Sequence, residues 1–344
     1  MTVNQQVMLV CGFTLSLLGV LGFASKGESN ESSSADSEGD PVAMTPVVMQ
    51  FDWIFNAQFA GFYQAIEQGF FEDAGLAVEL RGQATTPDTV GMTLSEPEIS
   101  FGSAESNVLL ADAAAGADLK IIGVMFQDSP MGWMFVDDGS IREFTDLASK
   151  RVGVHADGSR VIRLLLEEAG ADTTNLDTYD CGYAPSIVID GEADAMQCYY
   201  IDEYVKLEQM IGERAGIFLA KDHGYRAYSQ VMFTDVETVE THPEVVAGFL
   251  RAVKRGWEFA FEHPEDTVEL IISQYSSELD REHQLKSLEK IKELMIPQPG
   301  ALLRVADPKV FEEGLSRMRD RGLIQESIDA ADLLAQEFLP GDGD

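Results

Sequence analysis

At 344 residues, the chain is long enough for two domains with substantial cores. It has 24 basic and 59 acidic residues, a formal net charge of −35, and no basic block longer than a pair. Such a surface repels phosphate groups, which excludes nucleic-acid binding and attachment to anionic membranes. The acidic residues are spread along the chain, as expected of a solvated surface.

The N-terminal region predicts export. Residues 7–24 are apolar and uncharged, and a linker rich in Ser, Glu, Gly and Asp, which we expect to be disordered, follows over 25–44. This pattern is typical of a signal peptide or a single membrane anchor, here residues 1–24. Small residues favour cleavage after Ala24, whereas the missing positive charge at the start favours a retained anchor. The folded part is therefore expected in the periplasm or on the outer face of the cytoplasmic membrane.

The folded part begins with a strand, a loop, a helix and a second strand over residues 45–80. Val47 to Phe51 is an apolar run typical of a buried strand, and Gly75 closes the helix before the second strand. This order predicts a parallel sheet. Its first loop would lie at the carboxyl end of the strand, where open α/β sheets bind ligands.

The alternation of strands and helices continues and then changes. We predict helices at 88–94 and 107–115 and strands at 98–101 and 119–125, which make a first doubly wound lobe. A strand at 131–136 follows without a helix, which predicts a crossover into a second lobe. Further strands are predicted at 151–154, 176–179, 193–197 and 228–234, and helices at 145–148, 161–169, 185–189, 204–211, 243–261, 264–274, 281–295, 307–319 and 324–338.

The predicted fold is a two-lobe α/β clamshell that closes on a ligand about a two-strand hinge. The chain crosses between the lobes near 127–131 and 224–229. The first lobe is predicted to comprise 46–128 and 229–340, with the C-terminal helices packed on it, and the second lobe 129–228.

The sequence lacks the motifs of common enzymes: no Gly-x-Ser-x-Gly elbow, Walker loop, HExxH or dinucleotide-binding glycine pattern is present. His242 and His263 precede prolines at helix starts, and His283 is expected to be solvated in a polar first turn. His155 and His223 lie in loops that could face the cleft, without a ligand cluster at metal spacing. We therefore predict neither a metal nor a cofactor.

Cys181 and Cys198 are the cysteines of the folded part. Export permits a disulfide between them, but two cysteines without metal-like spacing do not define a framework. A bridge and two buried thiols both stay open.

Two segments carry the strongest candidates for ligand contacts. Asp202 and Glu203 begin a helix after a strand, beside Tyr199 and Tyr200. Carboxylates there could accept hydrogen bonds from a heterocycle stacked on the tyrosines, or could simply favour the helix N-terminus.

The loop after the first strand is the second segment. Trp53 and Asn56 lie in it, where packing explains an indole and an amide less easily. Gly102 to Ser106 is the equivalent loop of a later strand, able to hold a polar group or to cap the next helix. The remaining candidates are Phe59, Tyr63, Ser103, Glu105, Gln127, Asp128, Ser159 and Arg160, of which Arg160 could bind an anion.

These segments resemble a known family along residues 46–335. The matching stretches, in the family's order, are DWIFNAQFAGFYQAIEQGFFEDAGLAVEL, FGSAESNVLLADAAAG, FQDSPMGWMFVDDGSI, FTDLASKRVGV, DGEADAMQCYYIDEY and HPEVVAGFLRAVKRGWEFAFEHPEDTVELI. The chain resembles the thiamine-pyrimidine precursor group of type II periplasmic binding proteins. That superfamily includes binders of thiamine pyrimidines, riboflavin, alkanesulfonates and nitrate, and the eukaryotic pyrimidine synthase.

The resemblance assigns Trp53 and Asn56 to the family's ligand loop, and implies that Glu203, after Asp202, binds the ring. Phe59 stands where the family often has histidine, which separates this chain from a plain copy of the pyrimidine site.

The resemblance also bears on catalysis. Ala104 and Val108 stand where the synthase has its lysine and histidine, and residues 223–230 lack its cysteines. The resemblance therefore implies a binder rather than an enzyme.

We predict an exported, monomeric solute-binding protein that works with ABC permease subunits and binds a thiamine-pyrimidine-like or other small heteroaromatic ligand. The alternatives are a membrane-tethered ligand-sensing domain and a binder of riboflavin, alkanesulfonate or nitrate. A pyrimidine synthase is the least favoured.

Overall fold

The structure is a computed structural model that describes residues 44–82, 88–155, 158–325 and 328–339. The predicted export segment at 7–24 therefore lies outside the described residues, as does the linker up to residue 43. Within the described ranges, no helix is both long enough and apolar enough to cross a membrane.

The strands are, in chain order, β1 Thr45–Gln50, β2 Leu76–Arg81, β3 Ile99–Ala104, β4 Leu119–Phe126, β5 Met131–Val136, β6 Arg151–Val154, β7 Asp177–Asp180, β8 Ala195–Tyr199, β9 Ala215–Leu219 and β10 Ser229–Asp235. The α-helices are α1 Ala60–Glu67, α2 Phe70–Asp73, α3 Thr89–Leu94, α4 Ser106–Ala114, α5 Gly158–Glu168, α6 Ser186–Ile189, α7 Glu203–Ile211, α8 Val236–Thr241, α9 Pro243–Glu262, α10 Pro264–Leu270, α11 Arg281–Met295, α12 Lys309–Asp320 and α13 Ala330–Leu333.

The strands form two mixed sheets of five. The first has the order β2-β1-β3-β10-β4, with β1 parallel to β2 and β3, and β10 antiparallel to β3 and β4. The second has the order β7-β6-β8-β5-β9, with β6 parallel to β7 and β8. The predicted two-lobe α/β fold is thus confirmed. The edge strand β9 was not anticipated.

The chain crosses between the sheets twice, after β4 and before β10. Gln127 anchors the first crossing: its side-chain amide donates hydrogen bonds to the carbonyls of Ala301 (3.2 Å) and Arg304 (2.7 Å). Lys221 of the second crossing lies 3.4 Å from Asp128 of the first. This ion pair ties the two connecting segments together.

Helix α9 fixes the position of α1, which follows the first loop. A Cβ atom at Gly61 would lie 2.4 Å from the Trp257 ring, and one at Gly256 would lie 2.0 Å from the Gly61 carbonyl oxygen. Only glycine allows these two helices to approach so closely. Pro243 begins α9, where its missing N–H costs no hydrogen bond.

One of the predicted helices is corrected. The predicted helix at 324–338 is wrong, because the described part of this segment is helical only in α13 and a 3-10 turn at Gln336–Phe338. Between them, the main chain of Ala335 donates a hydrogen bond to Ile121 on β4, so the segment extends along the sheet. The predicted helix at 264–274 is present, as α10 followed by a π-helical turn at Ile271–Tyr275. Of the two possibilities left open for the cysteines, the structure has free thiols at both Cys181 and Cys198.

Candidate ligand-binding cleft

A cavity of about 350 Å³ lies between the two lobes. It is lined by residues that follow the carboxyl ends of parallel strands from both sheets, namely β1, β3, β6, β7 and β8. Open α/β sheets bind their ligands at this edge. The volume lies within the range of small-molecule binding pockets.

Three aromatic side chains in contact form one wall of the cleft. Trp53 of the first lobe meets Tyr183 of the second edge to face, with ring centroids 5.7 Å apart. Tyr183 in turn packs against the imidazole of His155 at 4.2 Å. Burial lowers the pKa of His155, so this ring is neutral at neutral pH. The wall thus offers flat surfaces without positive charge.

Two carboxyl groups extend into the cleft from the first lobe. Asp52 follows β1 and accepts hydrogen bonds at both oxygens from the side-chain amide of Gln230 (2.9 and 3.1 Å). Glu105 follows β3 and accepts hydrogen bonds from the hydroxyls of Tyr199 (3.1 Å) and Ser229. Burial raises the pKa of Asp52 to about 6, and burial with the charge of Asp52 raises that of Glu105 to about 7.

The second lobe supplies a third carboxyl group. Glu203 begins α7, is 5% exposed, and accepts a hydrogen bond from the main-chain N–H of Tyr199 at 2.8 Å. Burial, with the nearby charge of Asp202, raises the pKa of Glu203 to about 7. Among the described residues that line the cleft there is no lysine or arginine. The cleft therefore favours neutral or cationic hydrogen-bond donors and repels anions.

Asp202 joins the cleft to the first lobe through His283. Contrary to the prediction of a solvated imidazole, His283 is 5% exposed, and its Nε2 atom lies 3.1 Å from the Asp202 carbonyl oxygen. Burial alone would raise the pKa of Asp202, but the hydrogen bond from His283 and the charge of Lys206 outweigh it and lower that pKa. Asp202 therefore stays ionised while its neighbour Glu203 titrates near neutrality.

Hydrogen bonds on either side of His283 define its tautomer. The side-chain oxygen of Gln284 accepts a hydrogen bond from the main-chain N–H of Ala57 at 2.8 Å. The NH₂ group of Gln284 therefore faces Nδ1 of His283, at 2.9 Å. Nδ1 is therefore an acceptor, and Nε2 carries the proton that is donated to Asp202. This network connects the loop that carries Trp53 to the start of α7.

Of the predicted site residues, the structure brings five to the cleft: Trp53, Glu105, Tyr199, Asp202 and Glu203. Asn56 instead accepts a hydrogen bond from the main chain of Gln58 and caps a 3-10 turn.

Phe59 and Tyr63 are both fully buried in the core of the first lobe, Phe59 stacked on Phe51 at 3.9 Å and Tyr63 against Tyr275 at 4.1 Å. Their helical spacing directs both rings inward, which corrects the prediction of ligand contacts. The residue at the position where the family often has histidine therefore lies in the core and does not line the cleft.

The other candidates also lie outside the cleft. Ser103 is buried on β3, Gln127 and Asp128 anchor the crossings, and Ser159 and Arg160 lie in the first turn of α5. Tyr200 packs under the ammonium group of Lys290 at 4.0 Å.

Sequence reasoning missed Asp52, Tyr183, Gln197 and Gln230 as residues that line the cleft. Asp52 carried a usable signal, because it is the first charged residue after a buried strand. Tyr183 lies in a loop with no recognisable pattern. Gln230 reaches Asp52 with a positive φ of 52°, a conformation that its sequence does not signal.

Among the described residues, no cluster of His, Cys, Asp or Glu is arranged to hold a metal ion. The chemistry of the cleft is thus that of carboxyl groups, amides and aromatic rings.

Comparisons with known proteins identify the family of the chain. The family model described as NMT1/THI5 like matches residues 56–267. The formylaminopyrimidine-binding protein of Halalkalibacterium halodurans is 25% identical over 327 residues, covering 92% of this chain and 96% of that protein. The 4-amino-5-hydroxymethyl-2-methylpyrimidine phosphate synthase of Legionella pneumophila is 27% identical over 231 residues, covering 65% of this chain and 72% of that protein.

Among solved structures, the periplasmic aliphatic sulphonate binding protein SsuA from Escherichia coli is similar in fold. Its TM-score is 0.66 at 14% identity, with 86% of this chain and 93% of that chain covered. This likeness confirms the predicted type II periplasmic-binding-protein fold.

Proposed function

The chain belongs to the NMT1/THI5-like family, and we propose that it is the exported solute-binding component of an ABC importer that captures an aminopyrimidine. The observation that carries this proposal is the set of three carboxyl groups, Asp52, Glu105 and Glu203, beside an aromatic wall. The similarity of a formylaminopyrimidine-binding protein over 92% of the chain supports it.

The titration range of these carboxyl groups suits an aminopyrimidine. The pKa values of Glu105 and Glu203 are raised to about 7, so each can be an acid or a carboxylate near neutral pH. A carboxylic acid pairs with a ring nitrogen and its adjacent amino group through two hydrogen bonds, accepting one and donating the other. A carboxylate pairs equally well with the protonated ring. Trp53 and Tyr183 supply the faces for stacking.

A synthase is the second candidate in view of the Legionella relative, but the residues favour binding. The resemblance places Ala104 and Val108 where the synthase has its lysine and histidine. Among the described residues of the cleft, no lysine is present to form an imine with a cofactor aldehyde.

Calorimetric titration of the purified chain tests the proposal. We expect 4-amino-5-hydroxymethyl-2-methylpyrimidine or its formylamino analogue to bind, and riboflavin and alkanesulfonates to bind far more weakly or not at all. Glu203→Gln should weaken binding at least about tenfold, since it replaces a charge-assisted pair. The exposed Glu237→Gln, with the same change in charge, is the matched control. Absence of aminopyrimidine binding, or equal loss in both variants, would refute the proposal.

Transport and sensing are separated by a second experiment. A transport component requires partner permease subunits, and deleting them should abolish uptake of the labelled pyrimidine while leaving binding intact. If the chain instead remains in membranes with an uncleaved N-terminus and uptake continues without it, the ligand-sensing alternative holds. Light scattering in solution tests the predicted monomer.

A further inference from the structure

A second cavity, of about 490 Å³, lies beside the cleft. Its walls come from α4 and α12 of the first lobe, α5 of the second, and the connecting segment at 225–227. Tyr225, Val161 and Asn107 line both cavities, so these side chains form the partition between them. We call this second space the arginine chamber.

The chamber gathers positive charge in a strongly acidic protein. Among the described residues, its lining includes four arginines and no acidic side chain: Arg160, Arg226, Arg317 and Arg321. The guanidinium of Arg226 pairs with Asp307 at 2.9 Å and Glu313 at 3.1 Å, and that of Arg321 approaches Glu168 at 3.8 Å.

Arg317 differs from its neighbours. Its guanidinium donates a hydrogen bond to the carbonyl oxygen of Gly224 at 2.8 Å, and within the described ranges it makes no ion pair with a carboxylate. A guanidinium has five N–H donors, so most of its donors stay available. In a chain with a net charge of −35, this is a favourable position for an anion.

The rest of the chamber is apolar. Leu110 and Val310 form a buried floor, 2% and 6% exposed, and Leu164 and Met318 continue the wall. Leu323, which is 58% exposed, continues this apolar lining to the protein surface. Guanidinium groups bind the charged head of an amphiphilic anion, and the adjacent apolar surface binds its apolar body.

We propose that the arginine chamber is a second ligand site, which binds a small organic anion consisting of a carboxylate or sulfonate head and an apolar body. Arg317 contacts the head, with Arg160 and Arg321 adding positive charge, and the body packs on Leu110, Met318 and Leu323. The neighbouring cleft, lined by carboxyl groups, would repel the same ligand. The assignment does not depend on what the cleft binds.

Because α5 belongs to one lobe and α12 to the other, an anion in the chamber contacts both lobes. Such a ligand favours the arrangement in which the lobes lie together, which is also the arrangement that encloses the cleft. Thermodynamic linkage then requires each ligand to tighten binding of the other by the same factor.

Binding of 1-octanesulfonate to the purified chain, measured by calorimetry, tests the site, with octylammonium as the probe of opposite charge. We expect octanesulfonate to bind with one site and octylammonium not to bind in the chamber. Arg317→Gln should weaken octanesulfonate binding about tenfold or more. The matched control is Arg319→Gln, which removes the same charge from an exposed position on the same helix and should leave binding unchanged.

A second pair of variants keeps the test valid if Arg317→Gln disturbs folding. Leu323 is exposed, so Leu323→Asp and Leu323→Asn should both fold, and only the aspartate adds repulsion toward an anion. We expect Leu323→Asp to weaken octanesulfonate binding several-fold more than Leu323→Asn does. Equal effects of the two variants, loss of binding in Arg319→Gln, or competition between octanesulfonate and an aminopyrimidine would overturn the proposal.

Discussion

The side-chain hydroxyl of Tyr199 in the second lobe lies 3.1 Å from Oε1 of Glu105 in the first lobe. The main-chain N–H of the same tyrosine donates to Glu203 at 2.8 Å. Burial and the charge of Glu105 raise the pKa of Tyr199 well above its ordinary value, so the hydroxyl remains a donor. One residue thus holds two of the three cleft carboxyl groups and bridges the lobes.

Tyr199→Phe should weaken aminopyrimidine binding. The substitution removes the donor to Glu105 but keeps the ring and the main-chain bond to Glu203. Glu105 has a pKa of about 7, so this hydrogen bond is only partly charge-assisted and its loss costs about 1–3 kcal/mol. Because the bond holds the two lobes together around the cleft, we expect the dissociation constant to rise about fivefold or more. Calorimetry measures this, and Tyr179→Phe on β7 is the control. An unchanged affinity would show that the bond across the lobes does not contribute to binding.

Variants of His283 test the tautomer deduced from the network. Glutamine places its amide near the position of Nε2 and can still donate to Asp202, whereas asparagine mimics Nδ1 and cannot. His283→Gln should therefore retain more stability and more ligand affinity than His283→Asn. A buried group left without its partner costs about 1–3 kcal/mol, which urea unfolding resolves. If His283→Asn were the more stable of the two, the assigned direction of the hydrogen bonds would be wrong.

Stability should fall as pH rises through the titration range of the cleft carboxyl groups. The pKa values of Glu105 and Glu203 are about 7 in the folded chain, against 4.5 for an ordinary glutamate. Between these values the folded state binds more protons than the unfolded state, so the unfolding free energy decreases with increasing pH. The two groups together change it by on the order of several kcal/mol.

Urea unfolding from pH 4.5 to pH 8 measures this slope. Glu203→Gln should flatten it, because glutamine does not titrate, and Glu237→Gln should not. High salt removes the contribution of the exposed acidic residues but not that of the buried ones. Identical slopes for wild type and Glu203→Gln in high salt would contradict the raised pKa.

Much of the fold could be predicted because its signals are local. Val47 to Phe51 is an apolar run of strand length, and β1 forms there. Pro243 marks the start of α9 through its own backbone chemistry. Where a tertiary contact decides, the prediction failed: the segment around Ala335 was predicted as helix but extends along β4. Pattern within a segment cannot show which neighbour competes for its hydrogen bonds.

The candidate cleft could be predicted only in part. Glu203, which lines it, could be singled out because a strand end and a helix start coincide next to it in the chain. Gln230 was missed because it reaches Asp52, 178 residues away, only after β10 inserts between β3 and β4. Phe59 was assigned to the ligand because the sequence alone does not distinguish an aromatic residue of a binding loop from one of the core. Its stacking on Phe51 depends on the 3-10 turn at Ala57–Phe59, which turns the ring inward.

Trp53 should report ligand binding by fluorescence. The chain has three tryptophans, and two of them, Trp133 and Trp257, are fully buried, whereas Trp53 is half-buried at the cleft. A neutral quencher such as acrylamide should therefore act mainly on Trp53. A heterocycle stacked on Trp53 should alter the emission of this tryptophan and protect it from the quencher.

Trp53→Phe should abolish this signal while keeping a stacking face and most of the affinity. Trp53→Ala should lose both, with affinity falling about tenfold because stacked aromatic pairs contribute about 0.5–1.5 kcal/mol beyond their buried area. If acrylamide quenching of the wild type were the same with and without bound pyrimidine, the ligand would not lie against Trp53.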